Sequence, residues 1–122
     1  SQSDKREDFT FKLINEEKKL GRDCYIIEAL AKDADNETYS KIVQWIDKER
    51  FVSLFVAFYD EDGELWKELT LEGVYKQGKY WVAQTIEMKN IQKGSRTVIK
   101  SDKQEFDIAI PVSKFTQRSL GK

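Results

Sequence analysis

The sequence contains no histidine, one cysteine, one proline and one methionine in 122 residues. Lacking histidine, it lacks the usual general base, the usual proton shuttle and the commonest metal ligand, which removes many hydrolase mechanisms from consideration. The lone Cys24 has no partner for an internal disulfide and no imidazole to activate it. Placed in the apolar run CYII, it reads as a buried structural thiol. An excess of one charge is also missing. Lysine and arginine number 21 against 22 acidic residues, a net of -1, so no overall field draws the chain to nucleic acid or to an acidic membrane. The longest apolar run, residues 54–59, is far short of the roughly 18 residues of a membrane span. The opening SQSDKRED is polar rather than signal-like. No phosphate-cradling glycine loop, nucleophile elbow or zinc pattern occurs. Catalytic, metal-binding and cofactor-binding residues are therefore none, and the chain is not expected to be an enzyme.

What the chain does have is strand after strand. A length of 122 residues fits a single domain, with roughly two-thirds of the unfolded surface buried on folding. Phe9, Phe11 and Leu13 alternate with Thr10, Lys12 and Ile14 and predict a first strand, ended by the charged segment NEEKKLG. Residues 24–31 predict a second. Residues 39–47, YSKIVQWID, carry Tyr39, Ile42, Val43 and Ile46 at helical spacing. The β-branched and aromatic run KIVQWI and its strand-like neighbours make strand the more consistent reading. A long hairpin follows over residues 51–75, then a turn at KQGK, a strand over residues 80–91, a turn at QKGSR and a last strand from Arg96 to about Ile110, stopped by Pro111. One helical turn is expected around residues 112–115. The fold class is thus mostly β: a strongly curved antiparallel meander of about seven strands.

The hairpin's first arm, FVSLFVAFY, is the most informative stretch. On strict alternation Val52, Leu54, Val56 and Phe58 point one way and Phe51, Phe55, Ala57 and Tyr59 the other, so both faces need cover. Acidic clusters carry less meaning. Residues 60–64, DEDGE, resemble a calcium loop only superficially, because Asp and Gly between two strands are ordinary hairpin chemistry; Asp33, Asp35 and Glu37 read the same way. Lys89, Lys93, Arg96, Lys100 and Lys103 are interspersed with Glu87, Asp102 and Glu105 and read as a solvated face.

In order along the chain, GRDCYIIEA (residues 21–29), YSKIVQWIDK (39–48), FYDEDGELWK (58–67), WVAQTIEMKN (81–90), KGSRTVI (93–99) and FTQRSL (115–120) resemble the C-terminal half of a LolA-like member of the outer-membrane lipoprotein-sorting proteins, the LolA/LolB-like superfamily. The resemblance implies an unclosed half-barrel whose apolar concave surface receives acyl chains. It further implies a periplasmic carrier or receptor module for lipoprotein acyl chains or another hydrophobic ligand, in contact with membranes only peripherally or transiently. It also implies a chain that forms the C-terminal portion of a longer protein. Apolar positions of the central strands supply the candidate lipid-binding wall: Ile27, Trp45, Leu54, Val56, Phe58, Leu69, Ile86 and Met88. The alternative is a non-catalytic structural or interaction module that uses its apolar face or sheet edge for homodimerisation or partner binding.

Overall fold

The computed structural model describes residues 5–101. They form β1 (Phe9–Lys19), β2 (Arg22–Ala31), β3 (Lys41–Asp47), β4 (Ser53–Tyr59), β5 (Leu65–Gln77), β6 (Tyr80–Asn90) and β7 (Ser95–Lys100), with 3-10 turns at Lys5–Asp8 and Ala34–Asn36. The seven strands lie in one antiparallel sheet in chain order. The expected meander is therefore observed, as a single curved and unclosed layer. The last strand beyond Lys100, Pro111 and the helical turn at residues 112–115 lie outside the described residues.

Two local readings resolve against the sheet. The β3 segment is extended, and its helical spacing arises because Ile42 and Val43 are buried on opposite faces, Ile42 opposite Ala29 and Phe58, Val43 opposite Glu28 and Ala57. Burial on both faces imitates a helical stripe. β1, by contrast, does not stop at the charged segment but runs through it to Lys19, pairing Glu17 with Cys24 and Lys18 with Asp23. Its charged side chains are satisfied across the sheet: Glu17 accepts from Trp45 Nε1 at 2.8 Å, and Glu16 pairs with Lys48. Polarity ended the predicted strand, but pairing with β2 decides the real one.

Curvature has identifiable devices. Register shifts leave Ile14 unpaired in β1, Leu54 in β4 and Trp66 in β5; such bulges bend and twist the strands that hold them. Within β5, Gly73 adopts φ +64°, and a Cβ there would lie 2.9 Å from both Cβ and Cδ of Gln84 on β6. Glycine is needed twice over, for the backbone conformation and for the close approach. Gly73→Ala is expected to destabilise by more than about 1 kcal/mol. Gln84→Ala in the same chain removes the Cδ contact but keeps the Cβ one, so it should return only a fraction of the steric loss and none of the backbone part, which urea titrations of the single and double variants would read.

Residues directly opposite one another in a ladder share a face, so the registers sort the core. One row runs Leu13, Ile27, Gln44, Val56, Leu69, Met88, Thr97, and flanking rows hold Phe11, Ala29, Ile42, Phe58 and Leu71, Ile86, Ile99. This face is apolar across the sheet. Its centre is buried, with Val56 at 0% exposure and Ile42, Leu69, Leu71, Phe58 and Ile86 nearly as low. Its flanks are open, since Phe11, Leu13 and Ile99 are exposed. The other face is apolar only in the middle, where Ile26, Val43 and Ala57 cluster with Trp45, Phe55, Tyr59 and Leu65. Toward β5–β7 it becomes charged through the row Glu68, Lys89, Arg96 and the Arg96–Glu87 ion pair.

Candidate functional site

The apolar face is built by aliphatic and aromatic residues at alternate positions of β2 to β6, most of them opposite another apolar residue on the next strand, with Gln44 and Lys67 the exceptions. Six of the eight wall residues expected from sequence fall together on it: Ile27, Val56, Leu69 and Met88 in one row, Phe58 and Ile86 in the rows beside it. Trp45 is not among them. It pairs with Ile26 and Phe55 on the other face, 5.2 Å edge-on to the Phe55 ring. Leu54 is the extra residue of the β4 bulge, buried but outside the rows. Alternation counted from sequence fails at that bulge. Beyond it Ser53 lies opposite Ile46 and bonds Gln44, on the face of Val56 rather than the opposite one.

The second apolar face of the hairpin is covered by lysine. Lys19 Nζ lies 4.2 Å from the Phe55 ring centre and 5.2 Å from that of Trp45, and Lys41 Nζ lies 4.2 Å from that of Tyr59. Long stems shield the rings while the ammonium groups stay wet, and each cation also gains from the ring quadrupole. The surplus apolar surface on this side is therefore accounted for within the chain.

A polar residue interrupts the apolar wall. Gln44, 1% exposed, stands in the central row between Ile27 and Val56; its Oε1 accepts from Ser53 Oγ, and its Nε2 has no hydrogen-bond partner among the described residues. An unmet buried donor costs about 1–3 kcal/mol. Sequence reasoning passed over it because a glutamine in KIVQWID is unremarkable until its neighbours on both sides prove apolar.

At the end of β3 a second polar centre is fully satisfied. Asp47, 1% exposed, accepts at Oδ2 from Arg22 Nε (2.9 Å) and Arg50 Nε (2.8 Å) and at Oδ1 from the N–H groups of Glu49 (2.8 Å) and Arg50 (3.2 Å). Burial alone would raise its carboxyl, but these four donors hold it well below the usual carboxylate range. Opposite Asp47 sits Cys24, fully buried, its thiol pushed up by burial and by the Asp47 charge. It stays a thiol, as a structural cysteine should.

The acidic loops serve as turn caps. Asp60 Oδ1 accepts from the N–H groups of Asp62 and Glu64, both at 2.9 Å, and its Oδ2 from Gln92 at 2.8 Å; the Glu64 amide, then the Gln92 amide, depresses its carboxyl. Asp33 caps the Ala34–Asn36 turn through the Asp35 N–H and binds Asn36 Nδ2 at 2.6 Å. Among the described residues no three of Asp, Glu or Cys converge as a metal site would require.

Comparison with known proteins agrees on one architecture. A family model described only as an uncharacterized protein matches residues 1–122. No curated protein matches the sequence. Among solved structures, the chain is similar to a domain described as an outer membrane lipoprotein-sorting protein from Vibrio parahaemolyticus, with 34% identity and a TM-score of 0.70 over 95% of this chain. It is also similar to a DUF1329 family protein from Desulfovibrio piger, at 28% identity and a TM-score of 0.71 over 93% of the chain. A third likeness is to a LolA superfamily protein from Nitrosomonas europaea, at 25% identity and a TM-score of 0.64 over 78%. The chain spans about half the length of these proteins, 49%, 47% and 44% respectively.

Proposed function

Since the chain belongs to the outer-membrane lipoprotein-sorting proteins of the LolA-like superfamily, we propose that it is a non-catalytic carrier or receptor module of the periplasm that holds the acyl chains of a lipoprotein or a related amphiphile against its apolar sheet face. The observation that carries this reading is the apolar face itself, interrupted in its central row by Gln44, buried at its centre and open at Leu13, Phe11 and Ile99. Burying a methylene yields about 0.8 kcal/mol, so micromolar affinity needs roughly ten buried methylenes. One acyl chain laid across the wall supplies them. Val56, Phe58, Leu69 and Ile86, with Leu54 beside them, are the packed floor of that wall, and the surface a ligand meets is Phe11, Leu13, Ile27, Met88 and Ile99.

Titration with a fluorescent acyl probe tests the reading. Leu13→Glu and Ile99→Glu, at the open flanks, should each weaken binding by about tenfold with little change in stability. Gln44→Leu should raise stability, because it removes a buried donor that has no partner among the described residues. An unmodified protein that binds no probe and yields no lipid on organic extraction would sink the proposal.

A second reading has one observation in its favour. The sheet ends in β1 and β7, whose outer sides have no strand neighbour among the described residues, and Phe11, Leu13 and Ile14 on β1 and Val98 and Ile99 on β7 are exposed. Such edges accept further strands or a second copy of the chain. Light scattering behind size exclusion separates the two readings: a monomer that binds probe supports the carrier, a dimer that does not supports the interaction module.

A further inference from the structure

The meander places the β1–β2, β3–β4 and β5–β6 turns at one end of the sheet and the other three connections at the opposite end. The two ends differ in charge. Counting each turn with the residue pair that closes it, residues 19–22, 46–53 and 77–80 hold five lysines and arginines against two acids, a net of +3. Residues 30–41, 59–65 and 90–95 hold three lysines against seven acids, a net of -4. The near-zero total charge therefore hides a dipole along the strands.

Each turn of the basic end also carries one exposed apolar or aromatic side chain: Leu20 at 47%, Phe51 at 71% and Tyr80 at 48% exposure. Leu20 and Phe51 are, among the described residues, the two non-glycine residues with positive φ, at 53° and 56°, a conformation that a bulky residue adopts only against a steric cost. Hydrogen bonds tie the three turns together. Arg22 joins β1–β2 to β3–β4 through Asp47 and Glu49, at 2.9 and 2.7 Å, and Arg50 reaches from β3–β4 to the Val74 carbonyl of β5 at 3.1 Å and lies over the Trp81 ring beside Tyr80.

We propose that this end docks on an anionic lipid surface, with Leu20, Phe51 and Tyr80 entering the headgroup layer and Lys19, Lys79 and the adjoining Lys76 meeting lipid phosphates, while Arg22, Lys48 and Arg50 stay in their ion pairs with Asp47, Glu49 and Glu16. Three separate apolar tips flanked by cations suit a bilayer interface, which takes isolated side chains at one depth, better than they suit a protein groove, which wants a contiguous patch. The acidic end exposes Leu30 and Ile91, but an anionic surface would repel the carboxylates around them. Docking is independent of the acyl-chain reading, and its test uses no acyl probe, so either can fail alone.

Flotation of the whole chain with phosphatidylglycerol–phosphatidylcholine vesicles, against vesicles of phosphatidylcholine alone, is the experiment. The protein should float with the anionic vesicles only, and salt should release it. Phe51→Gly, which relieves the backbone cost and so keeps the fold, combined with Tyr80→Ser should reduce partitioning by at least about tenfold, and Lys76→Glu with Lys79→Glu by a similar factor. Leu30→Ser with Ile91→Ser at the acidic end should leave it unchanged. Equal binding to both vesicle types, no binding to either, or equal losses from variants at the two ends would overturn the proposal.

Discussion

Asp47→Ala is expected to cost about 3–5 kcal/mol, a large share of the roughly 5–15 kcal/mol by which a domain is ordinarily stable. The substitution strips one carboxylate from four donors at once and leaves the Arg22 and Arg50 guanidinium groups facing a buried void. It also releases the link between the β1–β2 and β3–β4 turns. Equilibrium urea unfolding would show the midpoint falling with an unchanged slope. A loss below about 1 kcal/mol would place the Asp47 bonds in the class of exposed surface pairs. The same residue sets an acid dependence. Because its folded carboxyl is held below its unfolded value near 3.9, its contribution is complete above that pH and is lost progressively as pH falls below it. Asp47→Asn removes this dependence, so stability of the variant should fall less steeply in acid than that of the unaltered chain.

Phe58→Ala should cost about 3–5 kcal/mol, and Phe55→Ala on the same strand clearly less. Phe58 is 3% exposed, pairs with Ile42 and meets the Tyr39 ring at 4.8 Å. Phe55 is half-buried beneath Lys19, whose stem can settle into the space an alanine leaves. Thermal unfolding of the two variants distinguishes a wall from a roofed surface. Equal losses would mean that both hairpin faces are true core.

The meander, its turns and the apolar character of its central strands were legible in the sequence, because period-two patterning and Asp-Gly or Lys-Gly turns report local geometry directly. Faces were not. Assigning Trp45 and Leu54 to the wall required strict alternation and a known concave side, and a bulge at Leu54 breaks the first assumption without leaving a mark in the residue types. The length of β1 was misjudged because its charged half is stabilised by partners distant in sequence, Trp45 and Lys48. Gln44 and Asp47 share a strand three residues apart, yet one ends with a spare donor and the other with none to spare. Composition cannot tell such residues apart; only their neighbours across the sheet can. The surplus apolar face of the hairpin is legible in the sequence, whereas the lysines that cover it, Lys19 and Lys41, belong to β1 and β3 and meet it only in the folded sheet.

The strand order has a kinetic consequence. Among the described residues every ladder joins chain neighbours and the longest gap between paired strands is residues 32–40, so none of these pairings waits on closure of a long loop. The entropy of closure grows with loop length, and β topologies rich in distant pairings fold slowly for that reason. Here assembly can proceed by adding one hairpin to the next, with the two-residue turn at Gly78 and Lys79 the cheapest place to begin. Stopped-flow refolding should therefore be fast for an all-β chain of this size.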